Sequence, residues 1–234
     1  MLFQKKRALC LLLAAVVLLG CFPCRVWAAP RQSVVILDAG HGGEDGGAVA
    51  VDGTPESGIN LQITKKLELL LLFTGYQPIL TREGEEAVYS PEATTLRQKK
   101  VSDLKNRVEL INGTENAFVI SVHQNSLPSH PKVHGAKVFY NTVQPAAQAG
   151  NAVQETLNLA INPGNERPVT AIDSTIYLMK ESARPAILVE CGFLSNPAES
   201  KQLQDPSYQL RLATAITAGY MAFDTGDRES IYEE

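Results

Sequence analysis

Three stretches of this chain are almost uninterrupted runs of apolar side chains: V-V-I-L at 34–37, A-F-V-I-S-V at 117–122 and A-I-L-V at 186–189. A strand with one wet face would alternate apolar and polar residues. A continuous run must be covered on both faces, which is the mark of a parallel sheet sandwiched by helices. The segments around these runs fit that demand. The pattern predicts strands at 32–38, 76–81, 117–122, 135–140, 175–179 and 186–189. It predicts helices at 60–73, 102–111, 145–159 and 206–223. Apolar positions Leu61, Ile63, Leu67, Leu70 and Leu71 fall on one stripe of the first helix, and Gly75 ends it. Asp205 caps the last helix, with Pro206 at its first position. Strands alternating with helices imply an α/β fold: a single-domain sandwich with a mostly parallel twisted sheet flanked by helices. No repeat or linker divides it. The domain is expected to span 33–224, followed by an acidic, frayed tail at 225–234.

The first 29 residues stand apart. M-L-F-Q-K-K-R carries three positive charges and no acid, and Ala8 to Cys24 then runs 17 residues without a charge. Val26 and Ala28 satisfy the small-residue rule for cleavage. This is the pattern of a secretory signal, so the protein is expected to be exported. Two other fates stay open. Leu18-Leu19-Gly20-Cys21 loosely resembles a lipobox, which would place a lipid on Cys21. The run would also serve as a retained anchor, though it is short for a full span. Membrane contact is expected through this segment alone.

Removing it takes away Lys5, Lys6, Arg7 and Arg25 and moves the net charge from −4 to −8. So acidic a domain is unsuited to nucleic acid. Of the 4 cysteines, Cys10, Cys21 and Cys24 leave with the segment. Cys191 remains alone, so the mature domain has no intramolecular disulfide.

In open α/β sheets, ligand sites gather beyond the carboxyl ends of the strands. His41 follows the first strand in D-A-G-H-G-G-E-D-G-G, His123 caps the third, and Glu190 caps A-I-L-V. Glu56 precedes the first long helix. Each has a bland alternative: a turn residue for His41, a satisfied core histidine for His123, a solvated helix-start acid for Glu56, a structural ion pair for Glu190. A carboxylate straight after four aliphatic residues is the hardest to dismiss, because burying it unpaired is costly. The glycine loop also suggests a phosphate cradle. However, it lacks the P-loop lysine and carries Asp38, Glu44 and Asp45, so charge favours a cation. His130 and His134 lie in a Pro-rich loop and are expected to be solvated. Two imidazoles and a carboxylate are the ligand set of a catalytic zinc. Zinc brings the acidity of water into the neutral range and stabilises an oxyanion. A second carboxylate, Glu190, raised by its apolar strand, would move the proton to the leaving amine.

V-V-I-L-D-A-G-H-G-G, P-E-S-G-I-N-L, V-I-S-V-H-Q-N-S and I-L-V-E-C-G-F-L-S-N, in that order over 34–220, resemble the zinc-dependent N-acetylmuramoyl-L-alanine amidases of the amidase-3 group. The resemblance implies Zn2+ held by His41, Glu56 and His123, Glu190 as the catalytic acid-base, and peptidoglycan as substrate. Asn125 is a candidate for positioning substrate or a neighbouring ligand. Ala39 stands where the family more often has Pro, and Ser57-Gly58 where it often has Lys or Asp. Glu56 is therefore the least secure ligand. T-L-R-Q-K-K-V-S-D-L-K-N-R-V and the lack of a wall-binding module are similar to the CwlD-type amidases of endospore formers. That likeness implies action on spore cortex towards muramic-δ-lactam, in the space between the two spore membranes, with an accessory activator protein. Two rivals remain: a non-catalytic module that binds peptidoglycan or a partner, and another zinc cell-wall hydrolase. The absence of H-E-x-x-H disfavours the helix-borne zincins.

Overall fold

The computed structural model describes residues 34–172 and 175–232, with side chains as far as Thr225. The secretory segment and its candidate lipid site at Cys21 lie outside the described residues. Six strands, β1 (Val34–Ala39), β2 (Gln77–Leu80), β3 (Ala117–Asn125), β4 (Lys137–Tyr140), β5 (Thr170–Ala171) and β6 (Ala186–Phe193), form one sheet in the order β2-β1-β3-β6-β4-β5. The central pairs β1·β2, β1·β3 and β3·β6 are parallel, and β4 runs antiparallel to β6. The helices are α1 (Glu56–Phe73), α2 (Leu96–Gly113), α3 (Ala146–Ala160), α4 (Tyr177–Glu181), α5 (Pro197–Leu203) and α6 (Pro206–Tyr232). The expected sandwich with a mostly parallel sheet is what the chain forms. Among the described residues, no helix is long and apolar enough to cross a membrane.

Strand parity sets the two cores. Val35 and Leu37 of β1, Phe118, Ile120 and Val122 of β3, and Ile187 and Val189 of β6 pack with α1, α3 and α6. Their alternates Ile36, Val119, Ala186 and Leu188 face the other way, onto Ile111 of α2 and Leu178 and Met179 of α4. Both faces are covered, which is why these strands read as continuous apolar runs. The same alternation places Asp38, Ser121, His123 and Glu190 on the α2/α4 face, at the carboxyl ends of the strands.

Several expected elements shift. The strand expected at Thr175–Met179 is instead the helix α4: its Thr, Ile and Tyr favour a strand, but burying Leu178 and Met179 under the sheet overrides that preference. The partner on β4 is Thr170–Ala171. Helix α2 starts at Leu96 rather than 102, because Thr95 and Gln98 form a capping box that closes its first turn. Helix α1 starts at Glu56, four residues earlier than its apolar stripe suggests. Strands β3 and β6 run on through His123 and Glu190, so those residues lie within strands instead of capping them. Helix α6 continues to Tyr232, past the end expected at 223.

Candidate metal centre

The glycine loop leaves β1 already tied to its neighbour: Gly40 N–H donates to the Val122 carbonyl at 3.0 Å. His41 itself holds φ at 60°, the left-handed region that non-glycine residues seldom adopt. Two buried arginines hold the loop there. Arg107 of α2 donates to the carbonyls of Ala39 and His41, both at 2.7 Å. Arg82 donates to the carbonyls of Ala39 at 2.9 Å and Gly40 at 3.2 Å. Arg107 also pairs with Asp38 at 2.7 Å and Asp103 at 2.8 Å. Burial alone would raise the Asp38 carboxyl, but Arg107 and the Ser121 hydroxyl outweigh it and hold it at about 2. The polar strand end is therefore an ionised, fully bonded platform.

Gly40 is a glycine for a second reason: a β-carbon there would lie 2.2 Å from Cε1 of the His123 imidazole. The bare loop lets one histidine ring rest on the backbone beside the other. The prediction is that Gly40→Ala displaces His123. Metal affinity should then fall about 10-fold or more, by analogy with other changes that disturb ligand orientation. Circular dichroism should show the fold retained, and chelator competition should show the loss.

Glu56 sits in the first turn of α1, where the helix dipole favours an acid. It is buried. Its Oε2 accepts from Ala48 N–H at 2.7 Å. Its Oε1 accepts from the Asn60 amide at 3.1 Å and Gln124 N–H at 3.2 Å. That same Oε1 lies 3.0 Å from His123 Nδ1 and 3.4 Å from His41 Nε2. Burial pushes the Glu56 carboxyl up, but the His123 bond and the charge of both imidazoles prevail and hold it at about 2. Donor atoms of His41, Glu56 and His123 all lie within 4.8 Å of one another, a group that could hold a metal ion. Three elements distant in sequence thus bring together the residues the motifs singled out, including the least secure, Glu56. What position 57 contributes here is its backbone: the Ser57 carbonyl accepts from Arg82 at 2.8 Å.

Glu190 is the register neighbour of His123 across β3·β6. Both line a cleft of 360 Å³, together with Lys100, Leu104, Ile176 and Tyr177. The Glu190 Oε2 is buried and has no hydrogen-bond partner among the described residues. Burial pushes its carboxyl up to about 7, with His123 lowering it and Glu56 raising it. A raised carboxyl works against folding once it must ionise. In metal-free protein the cost should be absent below the ordinary value of 4.5 and complete above about 7. Glu190→Gln should therefore raise the melting temperature of the chelated protein at about pH 8 and leave it unchanged at about pH 4.

His130 and His134 are exposed and line a different pocket with Lys132 and Arg167. Asn125 does not line the cleft; its Oδ1 accepts from Ser126 N–H at 2.8 Å. Sequence reasoning missed Arg82 and Arg107. The only local trace was Asp103 four residues before Arg107 on one helix face.

Residues 35–221 match the family model described as N-acetylmuramoyl-L-alanine amidase. The chain is 33% identical over 201 residues to the germination-specific N-acetylmuramoyl-L-alanine amidase of Bacillus subtilis, covering 85% of this chain and 83% of that one. It superposes on the CwlD amidase of Clostridioides difficile, solved in complex with the GerS lipoprotein, with a TM-score of 0.79 and 40% identity over 82% of this chain and 98% of that one. The amidase AmiC2 of Nostoc punctiforme gives a TM-score of 0.71 at 27% identity, over 83% of this chain and 98% of that one. A family match over most of the domain, with the CwlD amidase among its structural relatives, places this chain among the N-acetylmuramoyl-L-alanine amidases of the amidase-3 family, in the CwlD type.

Proposed function

We propose that the chain is a zinc-dependent hydrolase that cuts the amide between the lactyl group of N-acetylmuramic acid and L-alanine in spore-cortex peptidoglycan. The observation that carries this reading is the convergence of His41, Glu56 and His123 within 4.8 Å, beside a carboxylate oxygen buried without a partner. Two imidazoles and one carboxylate are the donors that catalytic zinc takes. Zinc held by these three residues would supply a Lewis acid, acidifying water and polarising the scissile carbonyl.

The rest falls to the chain's own groups. Glu190 is the acid-base. Its carboxylate accepts a proton from the attacking water and returns it to the departing nitrogen of L-alanine. Its apolar strand gives it the proton affinity for both halves of that exchange. Arg107 and Arg82 keep the His41 loop fixed throughout, which preserves the placement of the reacting groups. Leu104, Ile176 and Tyr177 form the apolar side of the cleft and exclude water from one flank of the bound substrate.

The cortex assignment rests on likeness to the germination-specific amidase. Export by the N-terminal segment, and with it work outside the cytoplasm, rests on that segment's basic start and its uncharged run from Ala8 to Cys24. Because the Clostridioides difficile relative was solved with a lipoprotein, an accessory lipoprotein is the proposed partner. The test is mass spectrometry of peptidoglycan digested by the purified zinc-loaded protein. Free stem peptides beginning with L-alanine, matched by glycan strands bearing unsubstituted lactyl groups, are expected. Fragments from a cut within the peptide, or loss of acetyl groups alone, would assign the chain to a different wall hydrolase.

A further inference from the structure

His41 is held from behind. Its Nδ1 donates to Asp45 Oδ2 at 3.0 Å, while its Nε2 faces Glu56 Oε1 at 3.4 Å. His123 has no carboxylate besides Glu56 on its ring among the described hydrogen bonds and ion pairs; its Nδ1 meets Glu56 itself. The two imidazoles are thus supported unequally. Asp45 is in turn built into a rigid turn. Gly42 and Asp45 exchange backbone hydrogen bonds at 2.9 and 3.1 Å, which fixes the carboxylate under the ring four residues earlier. The same Oδ2 also takes an ion pair from Lys100 of α2 at 3.0 Å.

We propose that Asp45 is the positioning residue for His41: it holds the proton on Nδ1, so that Nε2 presents its lone pair to the metal, and Lys100 sets how strongly it does so. This rests on the zinc reading above. A carboxylate behind a ligating imidazole fixes ring orientation and tautomer and raises the basicity of the ligating nitrogen. Lys100 shares the oxygen that accepts from His41. Its charge draws electron density away from that bond and tempers the effect. Asp45 and Lys100 therefore act in opposite directions on the same ligand.

A loop staple would behave differently. If Asp45 served only to tie the glycine loop to α2 through Lys100, removing either partner would loosen the loop alike. The experiment is zinc titration of the full chain against a fluorescent chelator, for wild type, Asp45→Ala, Asp45→Asn and Lys100→Met. Asp45→Ala should weaken zinc binding about 10- to 100-fold. Asp45→Asn, whose amide oxygen can still accept from Nδ1, should recover part of the loss. Lys100→Met should bind zinc at least as tightly as wild type. Nitrogen-15 spectra of His41 should show the Nδ1–H tautomer in wild type and a mixture in Asp45→Ala. Equal weakening by Asp45→Ala and Lys100→Met, or no weakening by Asp45→Ala, overturns the proposal. A wild-type chain that binds no zinc overturns the zinc reading itself, a different result from either.

Discussion

Glu190→Ala is expected to bind zinc as wild type does and to lose turnover. Glu190 touches none of the three donor groups in the hydrogen-bond network, so its removal leaves the ligand set whole. In the proposed mechanism it removes the group that moves the proton, and general acid-base catalysis of this kind contributes about 10²–10⁴-fold. The effect should fall on kcat far more than on KM, because the carboxylate acts on the reacting atoms and not on the rest of the substrate. Muropeptide release, measured beside zinc content on the same preparation, checks both halves. A variant with near-normal turnover would remove Glu190 from the mechanism.

The second large effect is Glu56→Gln. This residue is the hub of the site: both imidazoles and two backbone N–H groups, those of Ala48 and Gln124, converge on its carboxylate. Glutamine keeps the volume and one acceptor, so the fold is expected to survive with a modest loss of stability. The charge and one metal-seeking oxygen go. Zinc affinity should fall by more than the roughly 10- to 100-fold typical of a residue outside the ligand set. Alanine at the same position would be less informative, since it strands buried donors and destabilises the helix start as well. Zinc content after dialysis, read beside thermal melting, separates lost binding from lost fold.

Much of this is legible in the sequence. Continuous apolar runs announced a sheet covered on both faces, and the motifs named His41, His123 and Glu190. What the sequence could not show was parity at the strand ends. Reading His123 and Glu190 as caps hides the fact that both lie inside their strands, as register neighbours on one face. Capping chemistry was also under-read: Thr95 and Gln98 carry α2 six residues further than its apolar positions suggest, and that extension brings Lys99 and Lys100 to the glycine loop. The buried Arg107 platform left only the i,i+4 spacing from Asp103, because its other partners, Asp38 and the carbonyls of Ala39 and His41, are far off in sequence. Thr175–Met179 misled for a reason of its own: a short β-branched run is a weak vote when burial of two side chains decides the outcome.

The proposed function depends on three donors meeting at one ion. Diffraction data collected on zinc-loaded crystals above and below the zinc absorption edge test this most directly. The expected result is one strong anomalous peak about 2.0–2.2 Å from His41 Nε2, from a Glu56 carboxylate oxygen and from a ring nitrogen of His123. A loaded crystal with no peak among those three side chains, or with its zinc bound elsewhere on the domain, would contradict the account.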